Sequence, residues 1–330
     1  MKILYTISSN DDIEDYIGFY DEKGFWVEDW LDVDDPTDRR KLNGIIPDPV
    51  IWHLTPKFSA VICVDGLMLL HMSELAKTRP SMSDPDQIAE AVQWWDEHMD
   101  YANVMQLYIE SESIACADSG EISFCAVSME DTCRVGFIGQ NPVRKNHTNK
   151  LSLMAARCTS FISTYSTPSY DIGTWSSFTK VKAATIKSAL QHFEQAIESP
   201  ELIKRLALIA KAKFAFSNHD FRGSFTMIWF VVESSLKQLW DLHKTVHNSK
   251  KPTVGDMLNN LSSSGTISPD LFALLDDLRD RVRNKLMHQP VTTVCMPLDC
   301  RKVADGAMGL LKTIGGVPDL ILKLNYKVEF

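Results

Sequence analysis

The segment from Leu275 to Pro290, LDDLRDRVRNKLMHQP, carries three polar side chains whose types and spacing are suited to chemistry. Arg283 presents its hydrogen-bond donors in a fixed plane and remains charged near neutral pH, so it can stabilise a negative charge that develops nearby. His288 belongs to the residue type that exchanges protons near neutral pH. Asn284, beside the arginine, offers both a donor and an acceptor. The segment therefore combines a fixed cation with a group that moves protons.

The spacing of the apolar residues predicts that these side chains lie on an amphipathic helix. On a wheel of 3.6 residues per turn, one stripe is formed by Leu271, Leu274, Leu275, Leu278, Val282 and Leu286. Arg283 and His288 lie about 140° apart on that wheel, with Asn284 between them, on the side opposite the stripe. Pro290 predicts that the helix ends within about a residue of His288. We therefore expect the three polar side chains to point away from the subunit core, with plain solvent exposure as the alternative explanation.

A second predicted helix, SFTMIWFVVESSLKQLW, supplies a partner for the arginine. Its apolar stripe is formed by Phe225, Ile228, Trp229, Val232, Leu236, Leu239 and Trp240. Glu233 lies at the edge of this stripe, and Lys237 follows it on the same face. A carboxylate beside a tryptophan favours a cationic partner that offsets its loss of hydration. We predict that Arg283 is this partner.

Taken together, the two helices resemble those of HEPN domains. The residues RNKLMH match the R-[polar]-x-x-x-H motif of that family. The upstream pattern of Phe225, Trp229 and Glu233, with Arg222 before it, is similar to the second helix of the ApeA-like HEPN group. An R-x-x-x-x-H spacing recurs by chance in many helices, and its combination with the upstream helix makes the resemblance more specific. It extends from about Thr179 to Gly315.

The resemblance implies a metal-independent endoribonuclease without cofactors that acts as a homodimer. In HEPN proteins, two such helices meet across the dimer and pool their arginines and histidines in one cleft. RNA supplies the nucleophile, its 2′-hydroxyl, and the products are a 2′,3′-cyclic phosphate and a 5′-hydroxyl. The implied roles are proton transfer by His288, stabilisation of the phosphorane by Arg283 and support of the arginine by Glu233. Asn284 would bind phosphate or orient the histidine.

Family members of this kind often act as toxins or in defence against phage, and the resemblance implies such a role here. A different class of function is a non-catalytic HEPN module that binds a nucleotide or a protein as a scaffold. The presence of both Arg283 and His288 favours the nuclease, because a scaffold has no need of the pair. A third interpretation is an unrelated helical interaction protein with a chance motif.

The rest of the chain predicts two domains. Residues 1–178 look α+β and match no family, with an opening strand, MKILYTI, and a helix beginning near Ser83. In the same part, FSAVICVDGLMLL is a strand or a buried helix, EISFCAVSMEDTCRVGFI predicts a hairpin, and HTNKLSLMAARCTSFI predicts a helix. The run STYSTPSYDIGTWSS predicts a linker. Residues 179–330 predict an all-α, HEPN-like bundle, and the alternation in the tail DLILKLNYKVEF predicts a strand.

Composition and charge indicate in which cellular environment the chain works. No apolar run approaches the roughly 18 residues of a membrane span, and the first residues lack the pattern of a secretory signal. Seven cysteines without a C-x-x-C pair favour a reducing cytoplasm. Residues 1–185 hold 15 basic and 28 acidic side chains, whereas residues 186–330 hold 19 and 15. We expect the acidic N-terminal part to be a sensor that restrains the RNA-cutting site until a ligand or partner acts, or an acidic surface that serves solubility alone.

For two other patterns in the sequence we predict no chemical role. His243 and His247 have the i,i+4 spacing of a zinc-binding helix, but the glutamate of H-E-x-x-H and a third ligand are missing, so we predict no metal site. Cys295 and Cys300 follow the candidate site closely and are expected to be buried thiols rather than nucleophiles.

Overall fold

The computed structural model describes residues 16–20, 25–28, 49–64, 66–78, 80, 85–116, 122–138, 141–144, 179–243, 252–316 and 320–325. It divides into two compact units, Met1–Gln191 and His192–Phe330, each of which is described by itself. The predicted opening strand, the predicted helix in HTNKLSLMAARCTSFI and the predicted linker all lie outside the described residues.

The first unit contains a six-stranded antiparallel sheet with the order β3-β4-β5-β1-β6-β7. Its strands are β1 (Tyr16–Phe19), β3 (Pro49–Leu54), β4 (Phe58–Cys63), β5 (Met68–Met72), β6 (Thr132–Ile138) and β7 (Asn141–Arg144). A second, two-stranded sheet pairs β2 (Phe25–Val27) in parallel with β8 (Thr179–Val181).

The apolar run FSAVICVDGLMLL, which periodicity leaves open between strand and helix, forms the hairpin of β4 and β5. Gly66 adopts a positive φ of 80° at its turn, and its N–H donates to the Cys63 carbonyl at 3.0 Å. Val61 lies opposite Leu69 in the antiparallel register. Every residue of β4 is buried, so the run shows no alternation of apolar and polar residues.

Two helices of the first unit are α1 (Ser73–Lys77) and α2 (Ile88–Ala115). The start of α2 agrees with the predicted helix, and its stretch from residue 102 to residue 113 is buried throughout. The segment before β6 is not the first arm of a hairpin as predicted, because it bonds to α2 instead. The Asn103 side chain donates to the Val127 carbonyl and accepts from the Val127 N–H, and the Glu110 carboxylate accepts from the Phe124 N–H. The hairpin partner of β6 is β7.

The remaining described part of the chain is helical. Its helices are α3 (Ala183–Ala196), α4 (Pro200–Ser217), α5 (Phe221–His243), α6 (Val254–Ser263), α7 (Pro269–Leu278), α8 (Asn284–His288) and α9 (Pro297–Ile314). Several of these helices begin at a capping residue. The side chains of Ser199, Thr253 and Ser268 accept hydrogen bonds from backbone N–H groups at the N-termini of α4, α6 and α7. The predicted order of an α+β part followed by a helical part is therefore confirmed, and the HEPN-like assignment stays a prediction. Residues 320–325 of the tail form no strand.

The second unit is organised around α5, which packs against α4, α6 and α9. Its predicted apolar stripe is buried apart from Trp240, which is half-buried. Helix α7 packs closely on α9, because a Cβ added at Gly306 would lie only 2.6 Å from a methyl carbon of Leu275. This close approach positions α7, and with it the segment that carries the candidate residues.

Candidate functional site

The segment that carries the candidate residues begins with a five-residue π-turn, Arg279–Arg283, between α7 and α8. A π-turn closes i→i+5 hydrogen bonds and inserts extra backbone into an α-helix, so the residues beyond it are rotated relative to an unbroken helix. The predicted wheel assumed an unbroken α-helix, and this assumption fails here, although Val282 of the predicted stripe is buried and His288 is exposed as predicted. Turns of this kind occur often at functional sites.

Arg283 points towards α5 and not away from the subunit core, which corrects the prediction from the wheel. Its Nε and Nη2 donate to Oε1 of Glu233 at 3.1 and 2.8 Å. The exposed fractions of the two side chains are 28% for Arg283 and 31% for Glu233, so the ion pair is largely shielded from solvent. The predicted contact between Arg283 and Glu233 is present.

Glu233 is itself held by the helix that carries it. Its Oε1 also accepts a hydrogen bond from Nε1 of Trp229 at 2.7 Å, so one carboxylate oxygen receives an indole and a guanidinium. The Trp229 ring stacks on Phe225 with a centroid distance of 5.8 Å and an interplanar angle of 10°. The F-x-x-x-W-x-x-x-E spacing thus forms a column on one face of α5 that ends in the carboxylate.

Asn284 links the arginine to the rest of the π-turn. Its Oδ1 accepts from Nη1 of Arg283 at 3.2 Å, and its Nδ2 donates to Oδ1 of Asp280 at 3.3 Å. Asp280 also accepts from Nε of Arg279 at 2.9 Å, and Arg279 pairs with Asp276. The half-buried Asn284 is therefore one link in a continuous polar network, and its amide is oriented by a donor and an acceptor.

A third arginine of the π-turn bonds to the start of α9. Nη2 of Arg281 donates to Oδ1 of Asp299 at 2.7 Å, and the Asp299 side chain is only 5% exposed. Oδ2 of Asp299 accepts from the Met296 N–H at 3.0 Å. The sequence interpretation missed Asp299, although an acidic residue in the first turn after Pro297 is a common sign of a helix start.

His288 is the last residue of α8, as Pro290 predicts, and it is exposed. Two apolar residues close to it in the chain are exposed as well: Met287 is 62% exposed and Val291 86%. The structure brings Arg283, Asn284 and Glu233 together and leaves His288 outside this group.

A cavity of about 930 Å³ lies beside Arg283, between α5, the start of α6 and the π-turn. From α5 it is lined by Phe230, Glu233, Ser234 and Lys237, which lie on one face of the helix. The network residues Arg279, Asp280, Arg283 and Asn284 also line it, and His288 does not. Sequence reasoning noticed Lys237 only as a neighbour of Glu233 and missed Phe230, because a single exposed phenylalanine gives no periodic signal.

Of the residues in the two patterns for which we predict no chemical role, the structure describes His243, Cys295 and Cys300. Within the described ranges, no group of three or more His, Cys, Asp or Glu side chains is placed to hold a metal ion. His243 ends α5, and His247 lies outside the described residues. Burial raises the pKa of Cys295 to about 11 and that of Cys300 to about 12, so neither thiol is activated as a nucleophile. No described helix is both long and apolar enough to cross a membrane.

Comparison with known proteins gives no relative: no family model, no curated protein and no solved structure matches the chain. What the site can do follows from its own residues. A guanidinium of fixed orientation lies beside a cavity with one further lysine, and an exposed histidine ends the same helical segment. These groups are suited to binding an anion and to moving a proton.

Proposed function

We propose that residues 179–330 are the catalytic part of a metal-independent endoribonuclease of HEPN type, which acts as a homodimer. The observation that carries the proposal is the fixed orientation of Arg283, held by Glu233 on one side and by Asn284 on the other. Because the guanidinium is already oriented, its side chain does not have to reorganise when negative charge develops beside it.

In the proposed reaction the 2′-hydroxyl of an RNA nucleotide attacks the adjacent phosphorus, and the bond to the 5′-oxygen of the next nucleotide breaks. His288 accepts the proton of the 2′-hydroxyl or delivers a proton to the departing oxygen. Arg283 has five N–H groups, and the contacts with Glu233 and Asn284 use three of them. Among the residues that the structure describes, none accepts from the other two, which can donate to the phosphorane oxygens. The products are a 2′,3′-cyclic phosphate and a 5′-hydroxyl.

A second copy of the chain supplies what one copy lacks, since His288 lies outside the network around Arg283. The surface beside His288 supports such a contact, because exposed apolar side chains cluster along this stretch of the chain. They are Met287, Val291, Val294, Met296 and Leu298. Contiguous exposed apolar surface marks interaction sites. In a dimer formed there, the two copies of His288 supply the acid and the base.

The experiment compares cleavage of a labelled RNA by the wild-type chain, by His288→Ala and by His243→Ala. Both histidines end helices and are exposed, so His243→Ala is a matched control. We expect His288→Ala to lose at least a hundredfold in rate and the control to lose nothing. Cleavage survives EDTA, and the products carry a cyclic phosphate. Equal rates for both variants, or products that end in a 3′-hydroxyl, contradict the proposal.

The proposed biological role is that of a toxin or of an effector in defence against phage, acting in the cytoplasm. Overproduction of the wild-type chain is then expected to slow growth and to degrade cellular RNA, and His288→Ala is expected to relieve both effects. Growth inhibition that is the same for wild type and variant argues against an RNA-cutting toxin.

One observation favours the alternative of a non-catalytic module that binds a nucleotide. Arg283 and Lys237 line the cavity, whereas His288 does not. A scaffold of this kind binds nucleotide with unchanged affinity in His288→Ala and releases no product from RNA. The same cleavage assay, combined with a binding measurement, separates the two functions.

A further inference from the structure

Asp299, at the start of α9, carries the only buried carboxylate among the described residues of the second unit. Its Oδ2 accepts a hydrogen bond from the Met296 N–H at 3.0 Å and so caps the helix. Capping does not require burial, because Asp256 accepts from the Thr253 N–H in the same way at the start of α6 and is exposed. Burial of a carboxylate is unfavourable unless a cation compensates it. The burial of Asp299 therefore indicates a role beyond the start of α9.

The compensating cation is Arg281, in the middle of the π-turn. Its Nη2 lies 2.7 Å from Oδ1 of Asp299. The same guanidinium also faces Asp277 of α7 at 3.4 Å, but that carboxylate is 53% exposed, against 5% for Asp299. A long contact with an exposed acid contributes little, whereas a short contact with a buried acid is strong. The bond between Arg281 and Asp299 therefore fixes the middle of the π-turn to α9.

Three successive residues of the π-turn are held from outside the segment. Arg281 bonds to α9, Val282 is buried in the core, and Arg283 bonds to Glu233 of α5. Geometry of the π type is rare in helices, so contacts with neighbouring helices are needed to hold it. Because Arg283 lies two residues beyond Arg281, a shift in the middle of the turn moves the guanidinium of Arg283 relative to Glu233.

We propose that Asp299 is a positioning residue for the candidate site, which holds the π-turn through Arg281 so that Arg283 keeps its place between Glu233 and Asn284. The inference rests on the proposed ribonuclease function and adds a residue that touches neither the RNA nor the reacting atoms. Asp299 acts on the orientation of a group that stabilises the transition state. Its loss therefore lowers the rate of the chemical step and leaves the binding of RNA nearly unchanged.

The test removes the bond to Arg281 and keeps the start of the helix. In Asp299→Asn the amide oxygen still accepts from the Met296 N–H, whereas the amide nitrogen is a donor and cannot bond to Arg281. Asp277→Asn is the matched control, because it makes the same change in the exposed acid that faces the same guanidinium. Arg281→Lys keeps a cation opposite Asp299, and we expect it to behave like wild type, since the bond uses a single nitrogen.

The first measurement reports the position of Arg283 without any RNA. The full-length chain is labelled with isotopic nitrogen in its arginines, and the Nε–H signal of Arg283 is assigned by its loss in Arg283→Lys. In wild type this N–H donates to Glu233. We expect Asp299→Asn to shift the signal and to speed its exchange with solvent, and Asp277→Asn to leave it in place.

The second measurement is cleavage of labelled RNA by the folded variants at a temperature well below unfolding. We expect Asp299→Asn to lower kcat about tenfold or more and to change KM by less than about twofold. Asp277→Asn and Arg281→Lys retain the wild-type kcat. If Asp299→Asn does not fold by circular dichroism, Arg281→Met takes its place, because it removes the same bond from the more exposed partner.

The outcomes distinguish this inference from the ribonuclease function itself. A shifted Arg283 signal in Asp299→Asn, without any cleavage of RNA by wild type, supports the positioning role and removes the nuclease. Cleavage by wild type with an unchanged signal and an unchanged kcat in Asp299→Asn removes the positioning role and keeps the nuclease. Asp299→Asn that is less stable to urea but keeps the Arg283 signal overturns the inference, because the pair then acts on stability alone. A raised KM with an unchanged kcat overturns it as well.

Discussion

Nη2 of Arg283 lies 2.8 Å from Oε1 of Glu233, and Nε of the same arginine lies 3.1 Å from that oxygen. The two residues are 50 positions apart in the chain, so this contact connects the π-turn directly to α5. The acceptor is fixed in turn by Nε1 of Trp229. The orientation of the arginine is therefore set by the packing of α5 and does not depend on a bound ligand.

We expect Glu233→Gln to lower the free energy of unfolding by about 1–2 kcal/mol, because a charge-assisted hydrogen bond to Arg283 becomes a neutral one and the pair is only partly exposed. The measurement is urea unfolding followed by far-ultraviolet circular dichroism. A double-mutant cycle with Arg283→Gln isolates the pair, and a coupling of about 1 kcal/mol is expected. Additive effects of the two substitutions would show that the contact contributes nothing in solution.

The pair of Arg283 and Glu233 was predictable from the sequence in part. The contact of Arg283 with Glu233 was predictable, because a carboxylate beside a tryptophan stripe requires a cation. The direction of Arg283 was not, because a helical wheel assumes constant α geometry and the π-turn breaks it. The turn is accompanied by ion pairs from its arginines to Asp276, Asp299 and Glu233, and two of these acids are distant in sequence.

One contact in the first unit was also not predictable from the sequence. The run EISFCAV has the composition of a strand, yet its backbone N–H and carbonyl groups at Val127 bond to Asn103 of α2 rather than to a neighbouring strand. Local composition indicates that a segment is extended, but it does not indicate which element of the fold supplies the hydrogen-bond partners of its backbone. The helices of the second unit were predicted well, because periodicity, caps and prolines are all local features.

The pair of Arg281 and Asp299 is expected to matter more for stability than other surface charges of the segment. Arg281→Ala leaves the carboxylate of Asp299 nearly buried and without its cation, which we expect to cost about 1–3 kcal/mol of unfolding free energy. Lys285→Ala, on the exposed side of α8, is the control and is expected to change it by less than about 0.5 kcal/mol. Urea unfolding compares the two variants. Equal stability of both would mean that solvent replaces the guanidinium without loss.

The start of α6 gives a prediction about pH. Hydrogen bonds from the Thr253 N–H and hydroxyl hold the pKa of Asp256 below its ordinary value. A carboxyl whose pKa is lower in the folded chain contributes stability above the unfolded-state pKa of roughly 3.9, and this stability is lost as the pH falls through the folded-state value. We expect Asp256→Asn to lower the midpoint of thermal unfolding at pH 7 and to have no effect at about pH 2. An effect of the same size at both pH values contradicts the role of the charge.

The last prediction concerns restraint of the proposed nuclease by the acidic N-terminal part. Residues 1–185 carry 13 more acidic than basic side chains, and residues 186–330 carry 4 more basic than acidic ones. A negative surface near an RNA-binding site repels phosphate over a Debye length of about 8 Å at physiological salt. The acidic run VEDWLDVDDPTD at residues 27–38 lies outside the described residues, apart from Val27 and Glu28.

A fragment that begins at Lys182 tests this restraint, because β8 just before it pairs with β2 of the first unit and α3 remains whole. If the fragment folds and dimerises, we expect it to cleave RNA faster than the full chain at low salt, with a difference that shrinks as salt rises. Cleavage by the full chain carrying His288→Ala serves as the background rate. A folded, dimeric fragment that cuts no faster at low salt leaves solubility as the role of the acidic surface. A faster fragment whose advantage is independent of salt indicates steric and not electrostatic restraint, since screening acts only on charge.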